Sequence, residues 1–579
     1  MRVLTFMACA TIALLTSSDL HARSRPDQPH DIVIRGGLII DGRGRAPFIG
    51  DLAIDKDRIV AIKPGRSGLK GQVEIDARGL AVAPGFINML SWATESLLVD
   101  GRAVSDIKQG ITLEVMGEGD SMGPLTPEMK ALREQRQGDI RYPISWTSLG
   151  GYLEHLEKKG IAPNVASFVG AATIRIHELG ELDRDPDPEQ LGKMQALVRT
   201  AMEEGAMGVG SALIYAPGSY AETPELVALA SEAAACGGMY ISHIRSEADA
   251  LLPAIDELIE ISRKSGARAE IYHLKQAGKD NWAKIDEAID RIEAARADGL
   301  QITADMYPYT AGATGLDAAM PPWVQDGGFE KWRERLGDPE VRARVAAEMN
   351  APGQGWENLF HSAGSAENIR LIGFKNPALK RYTGKSLAEV AKSRGISPAE
   401  TAMDLVVEDG SRVSTAYFLM SEDNVRRQIK LPWMSFGTDE AAPAAEGVFT
   451  LSNSHPRAYG TVARLLGRYV RDERLIPLEA AVARLTSLPA RNLGIRERGA
   501  LEPGYFADLA IFDPNSVGDD ATFAEPAQYA RGMRHVLVNG VAVLWNGEPT
   551  AARAGRVVRG PGWTGWPDGG ACRSAKTGK

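Results

Sequence analysis

Cysteine is scarce: among 579 residues only Cys9, Cys236 and Cys572 occur. Three widely spaced thiols exclude a disulfide-scaffold fold and a cysteine-rich metal cluster. Cys9 falls in an N-terminal leader, so the one bridge open to the rest of the chain joins Cys236 to Cys572, and nothing in the spacing favours it. A surplus of positive charge is also lacking. The net charge is −9, with acids and bases interspersed, which argues against a nucleic-acid binder with its basic face. Beyond the leader no apolar run is long enough for a transmembrane helix.

The leader itself is legible. Arg2 supplies a positive start, Val3 to Leu15 is almost wholly apolar, and the following polar stretch ends in the small residue Ala22. That order reads as an export signal over residues 1–22, and it predicts a periplasmic or secreted product. With 44% hydrophobic and 24% charged residues, the remainder has the composition of a folded soluble protein.

Apolar runs between polar and glycine punctuation predict short strands near both ends, such as Asp31–Gly42 and His535–Leu544. Neither group can bury a core alone. Residues 30–83 and 496–560 are therefore expected to pair into one small β-sandwich. Between them, strand and helix patterns alternate. Candidate strands are Phe86–Leu90, Ile111–Gly117, Val165–Ala171, Met207–Leu213, Met239–Arg245, Ala269–Gln276, Ile302–Tyr309 and Met434–Asp439. Helical spacing separates most of them, as at Pro224–Cys236 and Leu252–Ser265. Eight such units predict a TIM-like (β/α)8 barrel over residues 84–495. The interval 317–431 is too long for a βα connection and reads as an inserted lid subdomain. Residues 561–579, rich in Gly, Lys and small polar residues, read as a flexible tail.

Three strands end in groups that bind metals or move protons. His243 and His273 sit at equivalent ends of adjacent strands, and Asp439 ends the last one. Each alone is as well explained as a core histidine or a helix N-cap. Together they suit a cation at the top of a parallel barrel. A further ligand is needed, and the glycine-rich turn after the second strand offers Glu118, with Asp120 as its competitor. Asp439 is placed to take a proton from water as it attacks a carbonyl. Arg245, Lys275, Tyr307, Tyr309 and Arg457 are candidate substrate binders, since guanidinium, ammonium and phenol groups recognise carboxylates and oxyanions.

Several of these stretches carry a family likeness: Gly36-Gly37-Leu-Ile-Ile-Asp-Gly42, Ala83-Pro-Gly-Phe-Ile-Asn88, Ser242-His-Ile-Arg-Ser-Glu247, Tyr272-His-Leu-Lys275, Gly437-Thr-Asp439 and His455-Pro-Arg457. The chain resembles the amidohydrolase superfamily and, within it, the N-acyl-D-amino-acid deacylases. The resemblance implies a divalent metal, usually zinc, ligands at His243 and His273, an acid/base at Asp439, and hydrolysis of an amide bond in a small N-acyl amino acid. Two departures stand out. The family's first-strand His-x-His is absent from Asn88-Met-Leu-Ser-Trp-Ala-Thr-Glu95, and its cysteine ligand is replaced in the turn Gly117-Glu-Gly-Asp120. Both losses point to a single metal, with Glu118 standing in for the cysteine. The rival readings are hydrolysis of another amide, a cyclic amide or a dipeptide-like substrate, and a barrel that only binds a ligand.

Overall fold

The computed structural model describes residues 28–572. The leader expected at residues 1–22 lies outside them. Eight almost wholly buried strands form the central barrel: β1 Phe86–Asn88, β2 Ile111–Met116, β3 Asn164–Ser167 with its continuation Val169–Gly170, β4 Gly208–Ala212, β5 Met239–His243, β6 Arg268–Ile271, β7 Ile302–Met306 and β8 Met434–Phe436. Every neighbouring pair is parallel. The ring closes between last and first strands, where Met89 N donates to Phe436 O and Asp439 N to Leu90 O. Buried Leu113, Val115, Phe168, Ile241 and Tyr272 belong to one core cluster within and beside the strands. A larger cluster joins strand residues to the surrounding helices. The barrel is thus a packed core whose upper rim is left for chemistry.

The strands are shorter than the sequence predicts. The sequence runs β6 on to Gln276, whereas pairing ends at Ile271. Residues 272–277 remain buried in a loop, and burial without pairing is what makes a loop look like a strand. The helices follow local signals closely. Thr223–Ala235 and Leu251–Ser265 flank β5. Asp338 caps Pro339–Met349 by accepting from Glu340 N, and Ser386 with Glu389 forms a reciprocal capping box on Leu387–Arg394.

Both chain ends meet in one nine-stranded sheet, in which Leu509–Phe512 runs antiparallel to Ala81–Pro84. Ile34, Ile39, Leu52, Ile54, Leu509 and Leu537 fill its core. The insertion begins earlier than residue 317. Its three-stranded antiparallel sheet includes Ala311–Gly315, paired with Ser414–Phe418, and it has a separate hydrophobic core.

The expected loose tail is a correction. As far as Cys572 the chain is anchored in turns, with Cys572 in a disulfide to Cys236. The Trp566 indole donates to Gly560 O, and Arg496 lies over its ring. The 336-residue separation hides this pairing from the sequence. Among the described residues no helix is long and apolar enough to cross a membrane.

Candidate metal centre

The turn after β2 is built on glycine. Gly117 and Gly119 both have positive φ, 106° and 67°. A Cβ on Gly117 would stand 2.3 Å from Phe168 O, and one on Gly119 would stand 2.5 Å from Ala212 Cβ. Only glycine lets this turn press against β3 and β4, and it presents Glu118 to the barrel axis. His243 is the last residue of β5. His273 lies just beyond β6 with φ 34°, and its backbone N–H is held by Asp305 Oδ1 at 2.9 Å.

These three side chains converge. Glu118 Oε1 lies 3.0 Å from His243 Nδ1 and 2.9 Å from His273 Nε2. All three residues are at most 5% exposed. They are the one group of acidic, histidine or cysteine donors with metal-binding spacing among the described residues. Donor atoms at about 2.0–2.2 Å from a tetrahedral zinc stand roughly 3.3 Å apart, so the observed spacing needs little adjustment. Burial alone pushes the Glu118 carboxyl up, yet the adjacent imidazoles hold it below the usual carboxylate range. The oxygen therefore stays ionised, as a ligand requires.

The surrounding groups fix this arrangement. His273 Nδ1 faces Glu247 Oε1 at 2.9 Å, and Lys275 Nζ sits 2.5 Å from the same oxygen. A neutral imidazole that offers Nε2 to a cation must carry its proton on Nδ1, and Glu247 is placed to accept it. Burial opposes ionisation of Glu247 too, but Lys275 and the two imidazoles keep it a carboxylate. The second Glu118 oxygen accepts from the Trp92 indole N–H at 2.9 Å. Sequence reasoning missed Glu247 and Trp92, although both stand in stretches it singled out.

Asp439 adopts φ 51° after β8. It caps no helix: the chain continues as a loop and short turns until Arg457–Arg464. Arg457 Nη1 lies 2.7 Å from Asp439 Oδ2, and its guanidinium is 4.4 Å from the Tyr307 ring centre. Burial raises Asp439 above the ordinary range, with Arg457 opposing and the charge on Glu118 reinforcing the shift. Asp439 therefore stands in the electrostatic field of the triad.

The other expected site residues separate. Asp120 turns away, bound by Arg133 and, at 2.7 Å, by Thr173 Oγ1, which leaves Glu118 as the converging acid. Tyr307 lines the site, its ring 6.3 Å from that of His273. Lys275 is only 6% exposed and serves Glu247. Two expectations are corrected. Arg245 is spent on Glu257, through two 2.9 Å bonds, and on the carbonyls of Ser219 and Ala221. Tyr309 lies beneath Arg464, with its ring against His455. A residue that the sequence did not mark, Tyr215, packs its ring against His243 at 5.3 Å.

Known proteins share this arrangement of sequence and fold. The chain is 33% identical to an N-acyl-D-glutamate deacylase of Alcaligenes xylosoxydans xylosoxydans, over 91% of this chain and 96% of that one. It is 32% identical to the D-aminoacylase of the same organism, covering 92% and 98%. Among solved structures, the N-acyl-D-glutamate deacylase of Bordetella bronchiseptica, complexed with zinc and a phosphonate mimic of the tetrahedral intermediate, superposes with a TM-score of 0.75. The identity is 31%, covering 92% of this chain and all of that one. Residues 73–544 match the amidohydrolase family, and the chain belongs to it.

Proposed function

We propose that this chain is a metal-dependent hydrolase that removes the acyl group from N-acyl amino acids, with D-amino acids the favoured class. The observation that carries the reading is the convergence of Glu118 Oε1, His243 Nδ1 and His273 Nε2 at 2.9–3.0 Å beneath the barrel rim. These three residues would hold one zinc ion. A divalent cation there supplies Lewis acidity, polarising the scissile carbonyl and lowering the pKa of water.

The remaining roles fall to the chain itself. Asp439 takes a proton from the attacking water and returns it to the leaving nitrogen. Its raised pKa suits both halves of that transfer. Arg457, paired with Asp439, keeps the carboxylate oriented and offers a cation to the substrate carboxylate. Tyr307 closes the same wall, with its hydroxyl beside Gly312. Glu247 holds the His273 ring and its tautomer, and Lys275 holds Glu247. The zinc-bound relative with a tetrahedral-intermediate mimic supports the hydrolytic reading.

We further propose that the protein works outside the cytoplasm. The export signal read at residues 1–22 supports this, and so does the Cys236–Cys572 disulfide, a bond that persists in oxidising compartments.

The test is a panel of N-acetyl D- and L-amino acids with zinc-loaded protein, followed by exhaustive chelation and add-back. Release of free amino acid should stop on chelation and return with zinc. Turnover that survives complete metal removal would falsify the mechanism.

A further inference from the structure

The insertion brings a cation to the mouth of the site. Arg412 precedes the strand Ser414–Phe418. Its Nε is 2.8 Å from Asp317 Oδ2, and its Nη2 donates to Thr314 Oγ1 at 3.2 Å. The guanidinium lies 4.9 Å from the centre of the Tyr215 ring, and that ring touches His243. Only two contacts therefore separate Arg412 from the centre. Thr314 is on the same strand as Ala313, whose carbonyl accepts from Arg457 at 3.3 Å, so Ala311–Gly315 links the two guanidiniums along one wall.

Arg412 differs from the other arginines around this mouth. Arg245 is used by Glu257 and Arg133 by Asp120 and Ser121 O, while Arg457 lies buried against Asp439. Arg412 has no partner on Nη1 among the described residues, and its side chain is 51% exposed, while Asp317 is 6% exposed. The buried carboxylate fixes Nε and Thr314 engages Nη2, which leaves Nη1 as the nitrogen open to a further partner. A guanidinium anchored through Nε and Nη2, with Nη1 open, is preorganised for an incoming carboxylate.

We propose that Arg412 recognises a second, side-chain carboxylate, and that the preferred substrates are N-acyl derivatives of acidic amino acids. This rests on the deacylase reading above. In that arrangement Arg457 meets the α-carboxylate deep in the site, and Arg412 meets the side chain at the rim. The reacting amide lies between them, over the triad.

N-acetyl-D-glutamate and N-acetyl-D-glutamine differ in one charge and little in shape, so the pair isolates the contact. With zinc-loaded protein, kcat/KM should favour the glutamate derivative about 10- to 100-fold, the range of a hydrogen bond to a charged group. R412K should keep part of the preference. R412M/D317N, which strands no buried carboxylate, should abolish it mainly through KM, with the glutamine derivative little changed. Calorimetric binding of N-acetyl-D-glutamate to the D439N variant reads the same contact without turnover, and should weaken by a similar factor when R412M/D317N is added. Equal activity of the wild type on both compounds overturns the proposal, as does binding indifferent to Arg412. If no N-acyl amino acid is hydrolysed at all, the deacylase reading fails, and the binding measurement still decides the role of Arg412.

Discussion

Trp92 gives the sharpest test of how the centre is held. Its indole N–H, 2.9 Å from Glu118 Oε2, fixes the orientation of a carboxylate whose other oxygen faces both imidazoles. An indole N–H donates and cannot ligate, so it also occupies the oxygen that a second cation would need. Trp92→Phe keeps the ring and removes the donor. A hydrogen bond to a charged group contributes about 1.5–3 kcal/mol when buried. Trp92 is 37% exposed, so the lower value applies, equivalent to roughly tenfold in zinc affinity, at the bottom of the range for groups that orient a ligand. Competition against a chromophoric chelator measures the change. The metal-free melting temperature should shift by only about 1–2 °C, because a loss of this size is small against the unfolding entropy of so long a chain. Zinc affinity within twofold of wild type would refute the reasoning. So would a loss that merely tracks the stability of the metal-free protein.

Asp439→Asn should lower kcat by about 10²–10⁴ while zinc content stays at one per chain, because Asp439 is not among the converging donors; loss of the metal would place it in the centre instead. Glu247→Gln strands the buried Lys275 ammonium. It should cost about 3–5 kcal/mol in stability and weaken zinc binding, and an unchanged urea midpoint would count against the network. Glu357, on the insertion, accepts from Ser246 Oγ at 2.6 Å, and burial raises its pKa from 4.5 to about 7. The folded protein therefore holds a proton that the unfolded chain releases between pH 4.5 and about 7, and stability falls as pH rises through that window. Glu357→Gln should flatten this part of the pH–stability curve, and a variant with the wild-type slope there excludes Glu357 as its source.

The barrel was legible because buried parallel strands read as short apolar runs between helical periods, and all eight stand where those runs fall. The triad was legible because each member follows such a run directly. What failed was direction. Arg245 follows His243 by two residues and would share its face if the strand continued, but β5 ends at His243 and the next side chains take loop directions. The same break turns Lys275 back onto His273. Tyr309 follows Tyr307 by two residues in the loop after β7, where its ring turns onto His455 instead. Glu247 and Trp92 carry no periodic signal at all. Their roles come from long-range contacts, to His273 and Glu118, that only tertiary structure supplies.

Two of the residues proposed to bind zinc or move the proton sit on left-handed backbone, His273 at φ 34° and Asp439 at φ 51°. Each such position in a non-glycine residue costs of order 1–3 kcal/mol and persists only where neighbours over-determine it. The neighbours here are polar groups buried beneath the rim. Asp305 Oδ1 accepts from His273 N, while Asn88 Oδ1 accepts from Thr438 N and Asn88 Nδ2 donates to Thr438 Oγ1, both at 2.8 Å. Asn88 is held in turn by Glu114 Oε2 at 2.9 Å, and it reaches Asp106 at 3.3 Å. Burial pushes Asp305, Asp106 and Glu114 above the usual carboxylate range, which favours their protonated forms, and Asp106 and Glu114 stand close enough to share a proton. An apolar core would fill this space more simply, but it would leave both turns free to relax and swing the imidazole and the carboxylate apart. The buried polar layer is therefore better understood as the support of the site than as a source of stability. It holds two strained turns in the one geometry that sets the His273 imidazole against Glu118 and His243 and the Asp439 carboxylate against Arg457.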